Sequence, residues 1–460
     1  MRLRNTLLLT VIFILLGAYL YFFELKKAGK EKTEKLLNFK EDEVESIILS
    51  YPQQEIRLKK EASGKWQMTQ PLQAAADEST ISSILSTLNT IEVKRTVEEK
   101  PSQEDLKNFG LDKPETKVLI TLKNGITLPS ILVGAKTPVG NSAYARREGA
   151  TGVLLTDASL LSGLEKKLHD FRDKKIIEFK DDMVKQLVLK GTKGEFALIK
   201  KEEDWFIDKP KPYRADRTEI KGILSTIRNL SARDFLEASP SDLKKYGLDK
   251  PRLRVTAFMG EKEGQREILV GNKKEGKDEV YLVLDSKGTI YTVHENVLKG
   301  LDKDLIALRD KEILSFPSDK VTKVQIQTPK ELLILTKGEK EEWKLEAPKT
   351  GKAKQGAVVD YLTALRSLRA KGFAEDEPKD IKKYGLDSPS LKISLDGKDG
   401  KNLGTLLLGN KTGEEHYARR EDSQAVYTIE EFSYKQINKQ LPDFFEEEKK
   451  ESPPPSRAKK

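Results

Sequence analysis

Seven letters recur three times in this 460-residue chain: NFGLDKP at 108–114, KYGLDKP at 245–251 and KYGLDSP at 383–389. A glycine one place past a helix end takes a left-handed backbone that other residues adopt only at steric cost. Gly110, Gly247 and Gly385 fit that place. Leu106 with Leu111, Leu243 with Leu248 and Ile381 with Leu386 are then the apolar pairs that close a Schellman cap. Upstream, Ser102, Ser239 and Glu377 stand at the helix start. Pro240 and Pro378 take the first helical position. Asp105, Asp242 and Asp380 put negative charge near that start. Downstream, Asp112, Asp249 and Asp387 precede Pro114, Pro251 and Pro389 by two residues, a pattern that turns the chain into a strand. The alternative is a catalytic or metal-binding aspartate, but a lone carboxylate supplies neither an acid–base pair nor a ligand cluster. The motif therefore reads as a short capped helix and its exit turn.

Other landmarks keep the same interval. Trp66, Trp205 and Trp343 are spaced by 139 and 138 residues, and the cap glycines by 137 and 138. ILVGAK (131–136), ILVGNK (268–273) and LLLGNK (406–411) follow, and then Tyr144, Tyr281 and Tyr417. The period is that of a whole domain, much longer than a solenoid repeat. FRDKKIIEF (171–179) matches LRDKEILSF (308–316), so one copy runs into the next without a Gly/Ser linker, which predicts a semi-rigid rod. The expected organisation is a tip, anchor and linker at 1–38, repeat domains at 39–178, 179–315 and 316–445, and a disordered Pro-rich tail at 446–460.

Within a copy, VESIILSY (44–51), EIRLKK and KWQMT alternate as half-buried strands do. Ile81, Ile84, Leu85, Leu88 and Ile91 share one helical face in STISSILSTLNTI (79–91). TKVLITL, LPSILVG, SAYARRE and GVLLT predict further strands, and 158–169 a closing helix. The expected fold class is α+β: three tandem homologous domains of helices and antiparallel strands behind one N-terminal transmembrane helix.

Residues 6–23, TLLLTVIFILLGAYLYFF, carry no charge and suffice to span a hydrocarbon core. Arg2 and Arg4 precede them, and Tyr19, Tyr21, Phe22 and Phe23 form an aromatic end. An uncleaved anchor is expected here rather than a cleaved signal peptide. Five lysines after the span favour a cytoplasmic body on charge count. Long domains, however, translocate largely regardless of charge, and an extracytoplasmic body is expected.

The formal charge of +9 invites a nucleic-acid reading, yet residues 39–178 hold 20 Lys/Arg against 21 Asp/Glu. Such mixing is a solvated surface, and no nucleic-acid partner is expected. The absence of cysteine excludes thiolate chemistry and disulfides. His169, His294 and His416 fall at three different repeat positions, so no shared histidine site exists. No phosphate-binding Gly-Lys-Ser/Thr loop, GxSxG elbow or GxGxxG is present. No catalytic residue, metal or cofactor is expected.

Three recurrent features remain. The tryptophans are expected in the cores, with exposed aromatic contacts as the alternative. The VGAK/VGNK/LGNK turns, each ending in Lys136, Lys273 or Lys411, are a weak ligand candidate. YARRE, at 144–148 and 417–421, places Tyr144 with Arg146, and Tyr417 with Arg419, on one strand face. An Arg beside a Tyr suits a carboxylate or phosphate, which makes these four residues the candidate binding site. The middle copy reads YLVLD there, so the fold does not require the arginines.

The combination of anchor, W…P, [FY]GLD.P, [LV][LV]GNK and a following Tyr strand resembles the bacterial domain-of-unknown-function 4340 family over about residues 39–445. The resemblance implies a membrane-anchored envelope protein. Because genes of that family often neighbour those for gliding-type ABC transporter subunits, it also implies an accessory role. It supplies no catalytic residues. The expected function is a non-enzymatic binding or scaffold protein held in the bacterial inner membrane by residues 6–23, with a protein partner in the envelope. An envelope-polymer-modifying enzyme and a cytoplasmic-facing scaffold on anionic lipid are the rival readings.

Overall fold

Val44, Ile47 and Leu49 are buried along one strand while their neighbours are half exposed, and this alternation builds the sheet face by face. The structure is a computed structural model that describes residues 34–236, 240–260, 264–286 and 288–445. Residues 6–23, expected to form the anchor, and the tail at 446–460 lie outside the described residues. Among the described residues no helix is long and apolar enough to cross a membrane.

In the first copy the strands are β1 (Val44–Ser50), β2 (Glu55–Lys60), β3 (Trp66–Gln70), β4 (Ala74–Ala75), β5 (Arg95–Glu98), β6 (Thr116–Leu122), β7 (Ile131–Lys136), β8 (Ser142–Arg147) and β9 (Val153–Asp157). They form one sheet in the order β4-β3-β2-β1-β6-β7-β8-β9-β5. Two meanders thus meet at the antiparallel β1–β6 pair, where Ile48 faces Leu119. The second and third copies repeat this nine-stranded order, so the chain carries three mixed α+β domains in tandem. The last residue of each third strand makes a cis bond to a proline, at Gln70–Pro71, Lys209–Pro210 and Ala347–Pro348.

Helix α1 (Glu78–Thr90) starts where the Asp77 side chain accepts from the Thr80 N–H. It buries Ile81, Ile84, Leu85 and Leu88 against the sheet. At roughly 1.5–3 kcal/mol per buried aliphatic side chain, that face is the main reason the helix holds its place. Trp66, Trp205 and Trp343 are all buried, at 4–6% exposure. Trp66 joins the α1 face in the first core, and Trp343 joins the Val358, Leu362 and Leu365 helix face in the third.

The closing helix is shorter than the expected 158–169. Helix α3 covers Ser159–Leu164, and a separate 3-10 turn covers Leu168–Phe171. Leu160, Leu164 and Phe171 all reach the core on either side of the break. The chain then returns to the sheet, with the Asp77 N–H donating to the Phe171 carbonyl at 2.9 Å.

The lead into the first and third copies is part of their cores. Leu36, Leu37 and Phe39 pack in the first, and Ile313, Leu314 and Phe316 in the third. The lead also pairs with the segment after the long helix: Lys35 with Glu92, Lys175 with Ser231, and Glu312 with Arg369. The described chain divides into two compact units. One runs to Ile176 and takes in Ser231–Leu236, and the other holds Ile177–Leu230 with the described residues from 240 onward, the rest of the second copy and the third.

Candidate functional site

The recurring motifs converge in each copy. Helix α2 (Gln103–Asn108) begins at Ser102, whose hydroxyl accepts from the Asp105 N–H while Asp105 accepts from the Ser102 N–H. Its end has the Schellman bonds: Leu111 N–H donates to the Leu106 carbonyl at 2.7 Å, and Gly110 N–H to the Lys107 carbonyl at 3.0 Å. The same two bonds recur at Leu248 and Gly247, and at Leu386 and Gly385. The three glycines have φ of 68°, 69° and 70°.

The helices themselves diverge. In the second copy the segment is a 3-10 helix, Pro240–Tyr246, and in the third only Lys382–Tyr384. Glu377, expected at the start of a third helix, lies outside it. Among the described residues nothing there matches the reciprocal Ser102–Asp105 bonds, and the Lys382–Tyr384 turn has no side-chain cap bond.

Each cap rests on the VGAK/VGNK/LGNK turn. Gly134, Gly271 and Gly409 sit so close that a Cβ would collide with the carbonyl oxygens of Phe109, Tyr246 and Tyr384. The turn is a β-bulge: Ala145 pairs with Val133 and Ala143 with Lys136, so two residues oppose Tyr144. Equivalent shifts lie between Val270 and Lys273 and between Leu408 and Lys411. The aromatic before the cap glycine then packs on the tyrosine opposite the bulge. Ring centroids are 4.5 Å apart for Phe109–Tyr144, 4.6 Å for Tyr246–Tyr281 and 4.8 Å for Tyr384–Tyr417. In the third copy these residues form a small second core with Leu386 and Leu407. Leu406 and Leu408 face the main core, so the module lies across the sheet from the helices.

This packing occupies the candidate binding residues. Tyr144 and Tyr417 spend their rings on Phe109 and Tyr384. Arg146 Nε donates to the Ala150 carbonyl at 3.1 Å, and Arg419 Nε to the Ser423 carbonyl at 2.7 Å. Each arginine therefore clips the hairpin turn that follows its strand. The neighbouring Arg147 holds the lead segment, donating to the carbonyls of Leu36 and Lys35 at 2.9 Å and pairing with Glu34 at 2.8 Å. Asp112, Asp249 and Asp387 lie in the exit turns, all three exposed.

Two further places emerge only in three dimensions. One joins the second and third copies. The Arg309 guanidinium lies 3.9 Å from the Tyr213 ring centroid and 3.6 Å from that of Phe373. It donates to Asp376 at 2.6 Å, and the Tyr213 hydroxyl donates to the other Asp376 oxygen at 2.7 Å. Arg309 is 10% exposed and Asp376 36%, so the cation is largely desolvated while its carboxylate keeps part of its solvent. Burial pushes the Asp376 carboxyl up, but the hydrogen bonds from Tyr213 and Arg309 outweigh it and leave it below its ordinary value of 3.8.

The other place is a cleft of about 720 Å³ in the first copy, between α3 and the end of β7, lined among others by Tyr51, Asn141, Ser162, Lys136 and Lys166. The Tyr51 hydroxyl donates to the Leu164 carbonyl at 2.9 Å. Burial, with help from the Asp170 charge, pushes that phenol well above the usual range. The VGAK turn, a weak ligand candidate in the sequence, forms part of the cleft wall through Gly134, Ala135 and Lys136, whereas sequence reading passed over the joint. The signals of the two places were the Arg of the junction motif and the residue types that differ between copies at one repeat position. Among the described residues no group of three or more acidic or histidine side chains is placed to hold a metal.

No curated protein matches the chain. Crystal structures of the Pseudomonas aeruginosa DNA polymerase sliding clamp align over 86% of this chain and 93% of the clamp at 5% identity, and over 85% and 91% at 6% identity. Their TM-scores of 0.13 and 0.14 are too low to bear on the fold. A family model described as domain of unknown function DUF4340 matches residues 66–206, 205–380 and 343–454. The three matches begin at Trp66, Trp205 and Trp343, the same landmark in each copy. With matches covering most of its length in three tandem segments, the chain belongs to the DUF4340 family.

Proposed function

We propose that this protein is a non-catalytic binding and scaffold protein of the bacterial envelope. In this reading residues 6–23 tether it to the inner membrane, its three domains stand on the extracytoplasmic side, and it serves a transport complex of the gliding ABC type as an accessory. The observation that carries the scaffold part is the Arg309 joint. A charged side chain, two rings and a carboxylate from two domains are spent on holding those domains together. The cap, bulge and aromatic pair support the same reading, because the most recurrent residues of the chain serve packing in every copy.

Two measurements test this. A reporter fused after Lys460 reads the side of the membrane, and a cytoplasmic signal would sink the envelope placement. Crosslinking in membranes followed by pull-down reads the partner. Recovery of transporter or other envelope subunits is the expected result, and recovery of neither removes the accessory role.

A further inference from the structure

One repeat position separates the first copy from the other two. It holds Ala158 in the first, Glu295 in the second and Glu431 in the third, at the start of the helix that follows the last strand of each meander. The backbone is alike, with φ −67° and ψ −12° at Ala158 and φ −61° and ψ −16° at Glu295. In the second and third copies the glutamate reaches the lysine that ends the bulge: Lys273–Glu295 is 2.7 Å and Lys411–Glu431 is 2.7 Å. His416 Nε2 adds a contact to Glu431 at 2.9 Å. Hydrogen bonds from Lys411 and His416 lower the Glu431 carboxyl to about 2, so it is a firmly charged partner.

The first copy keeps the lysine and loses the acid. Ala158 and Lys136 are both in the wall of the cleft between α3 and β7. Glu115 and Glu165 also line it, but among the described residues no carboxylate lies within 4.0 Å of the Lys136 ammonium. The third copy has a depression of about 580 Å³ beside Lys411, but four glutamates line it, and its lysines, Lys371 and Lys411, are paired with Glu430 and Glu431. Only the first copy, of these two, combines a cleft with an uncompensated lysine. Its volume lies within the roughly 300–1,000 Å³ typical of ligand clefts. Pro52 and Leu161 give it apolar wall beside the polar groups.

We propose that the first domain is the ligand-binding copy, and that its cleft takes an acidic peptide segment of a partner protein. The ligand's carboxylate occupies, against Lys136, the place that Glu295 and Glu431 occupy internally in the other copies. Asn141, Ser162 and Lys166 stand along the cleft to meet the peptide's backbone and flanking groups. The choice of a peptide over a small acid rests on the binding-protein reading above. The charge complementarity does not.

The test uses the full chain in detergent and a fluorescent tetraglutamate peptide blocked at both ends, with tetraglutamine as control. Anisotropy should show the glutamate peptide binding in a salt-sensitive way and the glutamine peptide at least about tenfold weaker. Lys136→Met should weaken binding about fivefold, the upper range for an exposed pair. Ala158→Glu installs the internal partner and should weaken it more than tenfold, by occupation and repulsion together. Lys136 is exposed, so its variant keeps the fold. Equal binding of the two peptides, no binding at millimolar peptide, or indifference to both substitutions overturns the proposal. Competition by free glutarate without binding of the peptide overturns the choice of a peptide. A partner recovered from membranes by a chain that fails these tests leaves the scaffold role standing and removes the cleft alone.

Discussion

The second and third copies solve one structural problem in two ways. In the second, the edge strand Tyr213–Arg214 offers a tyrosine ring, and the returning segment answers with Arg309. In the third, the matching strand is Gly351–Lys352, and the returning segment carries Phe445. The exchange is reciprocal. The Phe445 ring lies over Gly351 so closely that a Cβ there would collide with it, and Lys349 sits 3.5 Å from its centroid. The second copy therefore points a cation outward, to Phe373 and Asp376 of its neighbour. The third folds a ring back on itself. In the first copy Ala74 takes the strand position, and Arg172 lies over the Phe235 ring at 4.0 Å. The difference teaches that this position decides whether a domain engages the next one, while the rest of the domain stays constant.

The largest expected effect comes from breaking that joint. Arg309→Ala removes two ring contacts and leaves Asp376 and the Tyr213 hydroxyl facing each other without the cation. We expect a loss of about 2–3 kcal/mol, at or below the lower end for breaking a buried pair, because Asp376 is 36% exposed. Chemical denaturation measures it. Phe445→Ala should cost less and should stay local to the third domain. Equal losses for the two substitutions would end the distinction between a joint and an inward-folded end.

Much of this was legible in the sequence, for a physical reason. A left-handed glycine, the apolar pair across a cap, and a helix face repeating every three to four residues are local requirements, and local requirements leave fixed spacings. Leu106, Lys107, Gly110 and Leu111 can be read in one dimension because the cap bonds, Leu111 to Leu106 and Gly110 to Lys107, run between near neighbours. The joint cannot: Tyr213, Arg309 and the Phe373–Asp376 segment are far apart in sequence, and nothing in the recurrence of the junction arginine says what it meets. The same holds for Lys136, whose meaning depends on Ala158 standing where two other copies have glutamate. The arginines of YARRE illustrate the reverse. Their shared face with a tyrosine is a strand property, but the acceptors they use are carbonyls of the next turn, which periodicity does not reveal.

A smaller effect is expected where all copies agree. Gly110→Ala, Gly247→Ala and Gly385→Ala each force a side chain into the left-handed region and should cost about 1 kcal/mol or more, seen as a lower Tm. Asn tolerates that region, but its Cβ would meet the same neighbours, Ala135 N at 2.9 Å and the Asn272 and Asn410 Oδ1 atoms, so it should give no relief. These three values should resemble one another. If one glycine tolerated alanine freely, the caps would not be the constant part against which the joints vary.

The smallest effect is a pH dependence confined to the joint. Asp376 is held below its ordinary value of 3.8 in the folded chain. A depressed carboxyl contributes stability that is present above its unfolded pKa and fades as pH falls through the folded one. Asp310, beside Arg214, works in the opposite sense, since burial raises it, so the total stability of the wild type would mix the two. Comparing the wild type with Asp376→Asn isolates the first. The gap between them should be full near neutral pH and should narrow as pH drops below about 4. In an Arg309→Ala background it should shrink, because the carboxylate has lost its cation and keeps only the Tyr213 hydrogen bond against the cost of its burial. A gap that widens toward acid would mean that Asp376 is tolerated at the joint rather than used by it, and that the rings alone hold the two domains together.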